Sequence, residues 1–127
     1  MTQWTPKLEK DVRKLAEILD NTAKDMFNPK TGAKGSMLKS FFNAAVHYPL
    51  YRRIGKAANI DIKNGHQSLP EIVKLAEQNN SDVTDKLKRV MVTGNQLDAQ
   101  YDASVKNGGK GGNLAYYKLA KKSGIQY

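Results

Sequence analysis

The stretch FFNAAVHYPLYRRIGKAANIDIK, residues 41–63, concentrates the side chains best suited to holding an anion. It carries Arg52, Arg53, Lys56 and Lys63, together with Tyr48, Tyr51 and His47. A guanidinium presents a planar fork of N–H donors that matches phosphate in a bidentate way. A tyrosine ring can stack on a nucleic-acid base. Arg52, Arg53 and Lys56 fall within about one turn of a helix, so they spread over a broad face near its start, where backbone amides can also meet a phosphate. The same stretch has apolar work to do. Phe41, Phe42 and Leu50 suit a core, and Tyr48 and Tyr51 suit its edge.

A second basic stretch closes the chain. SVKNGGKGGNLAYYKLAKKSGIQY, residues 104–127, contains Lys110, Lys118, Lys121 and Lys122, with Tyr116 and Tyr117, and has no acid. Residues 107–112 read as a Gly/Lys hinge and residues 113–127 as a basic helical arm. Such an arm can fold onto an anionic partner. It can also clasp a second chain, or dock as an ordinary last helix that buries Leu114 and Tyr117.

Other candidate chemistry fails on spacing. GAKGS (32–36) and GGKGG (108–112) lack the G-x-x-x-x-G-K-[ST] pattern, and no strand precedes either. The segment from Asp61 begins like a calcium loop, but Lys63 and Ile72 stand where oxygen ligands are needed. His47 and His66 are the only histidines, and Asp61 is the one acid near them in sequence, too few ligands for zinc. Glu9 and Glu17 fall on the charged side of an exposed helix, a poor place for a carboxyl tuned by burial. Residues 52–77 outline two helices and a turn, but the DIKNGHQ connection is longer than a helix-turn-helix allows, and an acid stands early in the second helix. The expectation is a non-enzymatic chain with no cofactor and no metal.

Charge supports the anion reading. The net charge is +9 over 127 residues. Residues 36–67 have five Lys/Arg against one Asp/Glu, and residues 108–127 have four against none. Eight of the nine net charges therefore lie in those two stretches, whereas a charge serving only solubility has no reason to segregate. Both stretches must still fold onto one face to act together.

The chain holds no cysteine, which excludes disulfides and thiolate chemistry. No signal peptide or apolar span is visible, so the expected location is cytoplasmic, or within a virus particle for a viral component. The Asn79-Asn80-Ser81 sequon carries no weight without a secretory signal.

Helices must position these groups. Thr5 and Pro6 start an amphipathic helix in which Leu8, Val12, Leu15, Leu19 and Met26 recur, with Trp4 as a staple before it. NPKTGAKGS (28–36) is a loop, and Ser36 caps a helix with Met37, Phe41, Ala44 and Ala45 on one face. Pro49 ends or kinks it and opens the piece that bears the arginines. Asn64-Gly65 makes a turn. Ser68 and Glu71 form a capping box for a short helix with Leu69, Ile72, Val73 and Ala76. Ser81 caps a longer segment carried by Val83, Leu87, Val90, Met91, Leu97, Tyr101 and Val105, and Gly94 leaves it as one helix or two. Asn113 caps the last helix.

The fold expected is all-α: a compact single-domain bundle of five to seven helices, with residues 1–106 as the core. The function expected is nucleic-acid binding, to DNA or RNA, through the phosphate backbone with weak sequence specificity. Arg52, Arg53, Lys56, Lys63, Lys110, Lys118, Lys121 and Lys122 supply affinity, and Tyr48, Tyr51, Tyr116 and Tyr117 stack or pack. The alternative is a protein–protein module that meets an acidic partner or self-assembles, as an inhibitor, an adaptor or a component of a virus particle. No small-molecule substrate and no membrane span are expected.

Overall fold

The computed structural model describes residues 4–27, 48–62, 69–112, 115, 118–119 and 122. Among them the chain is all-α, without strands. Four helices are described against the five to seven expected: α1 (Pro6–Met26), α2 (48–58), α3 (Leu69–Gln78) and α4 (Thr84–Lys106). Residues 115, 118, 119 and 122 are helical as well. The 28–36 loop, the helix capped by Ser36 with Phe41 and Phe42, both histidines, the Asn64-Gly65 turn, Ser68, Asn113 and the side chain of Met26 lie outside the described residues.

α1 starts where its sequence says it should. The Leu8 N–H donates to Thr5 Oγ1 at 3.1 Å and the Glu9 N–H to the Thr5 carbonyl at 3.0 Å. The first bond occupies an amide that a helix start leaves open, the second begins the helix ladder, and Pro6 has no amide N–H to satisfy. Leu8, Val12, Leu15, Ala16, Leu19 and Ala23 are buried along one face. All but Ala23 join Leu50, Tyr51, Ile54 and Ala58 from α2, Leu69, Ile72, Val73 and Ala76 from α3, and Leu87 and Val90 from α4 in one cluster.

Polar ties flank this core. Trp4 is half-buried, and its indole N–H donates to Glu9 Oε2, so its staple is a hydrogen bond as well as an apolar contact. Ser81 Oγ donates to Glu9 Oε1 at 2.9 Å, and Arg13 reaches Glu9 at 3.0 Å and Asp82 at 2.6 Å. The Arg13 guanidinium, hydrogen-bonded to the Asp82 carboxyl and opposite to it in charge, holds that carboxyl below the ordinary range. Glu9 is thus a joint between α1 and the turn before α4, not a group on an idle charged face. Ser81 does not cap α4 either. Val83 holds the N-cap position without a side-chain bond, and Ser81 starts the turn that leads into it.

α4 is a single helix through Gly94. Its buried stripe runs from Val83 just before it through Leu87, Val90 and Leu97, then gives out: Tyr101 is half-buried and Val105 is 40% exposed. At ten residues α3 is roughly 15 Å long, too short to cover the roughly 34 Å of α4 from end to end.

Three helices stop in the same way. After α2 the Ile60 N–H donates to the Gly55 carbonyl (2.8 Å), with Asn59 at φ 55°. After α3 Ser81 donates to Ala76 (3.0 Å) and Asn80 to Glu77 (3.1 Å), with Asn80 at φ 53°. After α4 Gly109 donates to Ser104 (3.0 Å) and Gly108 to Val105 (3.1 Å), with Gly108 at φ 88°. Each is a Schellman-type stop, in which one left-handed residue lets the chain recover carbonyls the helix leaves open. The Gly112 N–H then donates to the Tyr101 hydroxyl at 2.7 Å. The segment expected as a hinge therefore begins as a folded helix end tied back to α4.

A left-handed conformation costs an L-residue about 1–2 kcal/mol, and less for asparagine. Asn80→Gly should accordingly raise stability by up to about 1 kcal/mol, and Gly108→Ala should lower it by about 1 kcal/mol. Urea midpoints of the two variants check both signs.

Candidate functional site

α2 is amphipathic, and its register decides which of the arginine-rich residues can meet a ligand. Leu50, Tyr51, Ile54 and Ala58 face the core, so Tyr48, Arg52, Arg53 and Lys56 face solvent. Tyr48, Arg52 and Lys56 recur four residues apart and form one exposed row. Tyr48 is 54% exposed, and the Arg52 guanidinium carbon lies 5.8 Å from its ring centre. That contact holds a cation over the ring face and leaves the fork open at its edges. Arg53, beside the row, contacts Asp11 Oδ1 of α1 at 3.3 Å.

Tyr51 is a correction. At 1% exposure it is the largest fully buried side chain among the described residues, and its burial pushes the hydroxyl well above the ordinary phenol range. It lies three residues from Tyr48 and on the core side of the helix, so it packs the interior and cannot stack on a base.

The exposed row borders a broad, shallow depression of about 370 Å³. Arg52, Arg53 and Lys56 line it with Tyr48, and Gly55, Ile60 and Ile62 complete its wall. The wall depends on Gly55. The chain that leaves α2 through Asn59 folds back over the helix here, and a Cβ on Gly55 would overlap Ile62 Cγ1 and lie 2.8 Å from the Ile60 carbonyl oxygen. Only a residue without a side chain admits that return.

Among the described residues the lining offers cations, one phenol and apolar surface. Such a set can bind an anion and lay a ring beside it. Among the described residues no cluster of three or more His, Cys, Asp or Glu could hold a metal ion.

The remaining sequence candidates are scattered. Lys110 is exposed after the α4 stop, and Lys118 and Lys122 are exposed on helical residues. Lys63, Lys121, Tyr116 and Tyr117 lie outside the described residues. Sequence reasoning missed Asp11 as the partner of Arg53, and it missed Gly55, Ile60 and Ile62 as the wall. The Asn59-Ile60 helix stop was the one local signal for that wall.

No family model matches the chain, and no curated protein or solved structure matches it. Among the described residues no helix is long and apolar enough to cross a membrane.

Proposed function

We propose that this chain is a small, non-enzymatic nucleic-acid-binding protein that contacts mainly the phosphate backbone. The observation that carries the reading is the α2 face, where Arg52, Arg53 and Lys56 line an open depression beside exposed Tyr48, with no acid among its described lining residues. An open cationic surface suits a polyanion, which needs charge along its length rather than an enclosing pocket. Contacts of this kind position a protein without reading sequence, so specificity is weak. Lys110, Lys118, Lys121 and Lys122 add charge from the C-terminal segment, which serves as a basic arm of residues 113–127 in a cytoplasmic or particle-bound setting.

Fluorescence anisotropy of a labelled random-sequence duplex, titrated at several salt concentrations, tests this reading. Binding in the range of about 1–100 μM is expected near physiological salt. On duplex DNA each neutralised phosphate adds about 0.9 to the slope of log affinity against log salt, so Arg52→Gln with Arg53→Gln should flatten it by about 1.8. Neutralising the four tail lysines should flatten it further. Absence of binding at low salt would discard the reading, and an unchanged slope in the arginine double variant would remove α2 from the site.

A further inference from the structure

We infer that the anion-binding face is two helices wide, with Lys7 and Lys14 of α1 as its second row of charge; this rests on the reading of α2 given above. The Asp11–Arg53 contact at 3.3 Å shows which flank of α1 lies against α2. A helix places residues three and four apart on one side. Lys7 therefore stands one turn before Asp11 and Lys14 one turn after it, on that same flank, and both are exposed.

The charges of α1 sort by flank in a way its net composition hides. Glu9, Arg13 and Asp20 lie on the other side, where they pair with Ser81, Asp82 and Arg89 at the α3–α4 turn and on α4. Glu9 and Asp20 are engaged there in ties between helices. On the α2 side Asp11 is 13% exposed and engaged by Arg53, and Lys7 and Lys14 stand exposed on either side of it.

Dimensions favour a nucleic-acid backbone over a small anion. Lys7 and Lys14 are seven residues apart, or about 10 Å along the helix. Packed helices lie about 8–10 Å apart. Lys7 and Lys14 on one helix, with Arg52, Arg53 and Lys56 on the next, make a cationic area that one phosphate cannot fill. A duplex carries a charge about every 1.7 Å of its axis and can engage several of these groups at once.

The test compares three double variants on the same labelled duplex: Lys7→Gln with Lys14→Gln, Arg52→Gln with Arg53→Gln, and Lys74→Gln with Lys106→Gln as a control on α3 and α4. Circular dichroism melts confirm that each stays folded. The Lys7/Lys14 variant is expected to flatten the salt slope by about 1.8, so that the fall in affinity between 50 and 200 mM salt shrinks about tenfold. The control should keep the parent slope. Asp11→Asn removes a negative charge from the middle of the face and releases Arg53, so it should tighten binding severalfold. If the arginine variant flattens the slope while the Lys7/Lys14 variant matches the parent, the second row is wrong and the α2 site stands. If the parent protein ignores the duplex but binds poly-glutamate, both the two-row face and the nucleic-acid reading fall.

Discussion

Gly55→Ala should destabilise the protein by about 1–3 kcal/mol, although alanine is the better helix former by about 1 kcal/mol. The reason is local. A methyl group on Gly55 overlaps Ile62 Cγ1 and crowds the Ile60 carbonyl, which is itself backbone and cannot rotate away. The added methyl must either push the 60–62 segment off α2 or bend the helix. The same substitution at Gly94 has the opposite expected sign. A Cβ there meets nothing within 4 Å, and Gly94 sits inside α4, so alanine should add about 1 kcal/mol through reduced backbone entropy in the unfolded chain. Urea titration of the two variants side by side checks the contrast. A stabilised Gly55→Ala protein would mean that the return of Ile60 and Ile62 over α2 is not packed as described. Because those isoleucines wall the basic depression, Gly55→Ala should also weaken duplex binding, while Gly94→Ala should leave it intact.

Arg89→Met should cost about 2–3 kcal/mol, the largest loss expected from any surface-reaching charge among the described residues. Asp20 is 3% exposed on α1, and a carboxylate that deep needs compensation. Arg89 of α4 supplies it at 2.6 Å and Lys24 at 3.0 Å. Removing the arginine takes away the shorter of these two ion pairs while the exposed Lys24 remains. Breaking a fully buried pair can cost about 3–5 kcal/mol, and the remaining lysine with the half-exposed position of Arg89 keeps the figure lower here. Replacing both members, with Asp20→Leu added, should recover much of the loss, since an apolar pair has no charge to desolvate. A double-mutant cycle in urea measures the coupling directly. Additive single losses would show that Arg89 and Asp20 do not act as a pair.

Several features of the fold were legible because they are local. Thr5-Pro6 reads as a helix start from hydroxyl and ring chemistry alone, and the Leu8, Val12, Leu15, Leu19 spacing shows the buried face of α1 without any neighbour in view. The 69–76 pattern did the same for α3. Gly94 left one helix or two open, and the structure has one, since a single glycine weakens a helix without ending it and the packing of α4 on α1 and α3 outweighs that cost. Ser81 misled. Its type suits a cap, but its hydroxyl is drawn to Glu9 from a distant part of the sequence, and Val83 takes the N-cap position, with the Ser81 carbonyl accepting from Thr84 in the turn before the helix.

The candidate site divides along the same line. Arginine and tyrosine content marked residues 48–56, but residue type does not say which tyrosine faces out. The register of α2 against the core puts Tyr51 inside and Tyr48 outside.

By itself the sequence determined the all-α class, the start of α1, the buried stripes of α1 and α3, the segregated positive charge and the basic character of α2. Each follows from periodicity or composition, which operate within a few residues. The tertiary structure alone decided that Arg53 meets Asp11, that Ile60 and Ile62 wall the depression over Gly55, and that Glu9 and Asp20 of α1 turn toward α4 while Asp11 turns toward α2. Those outcomes depend on which faces of separate helices come together, and that is settled by packing one shared core rather than by any local run of residues.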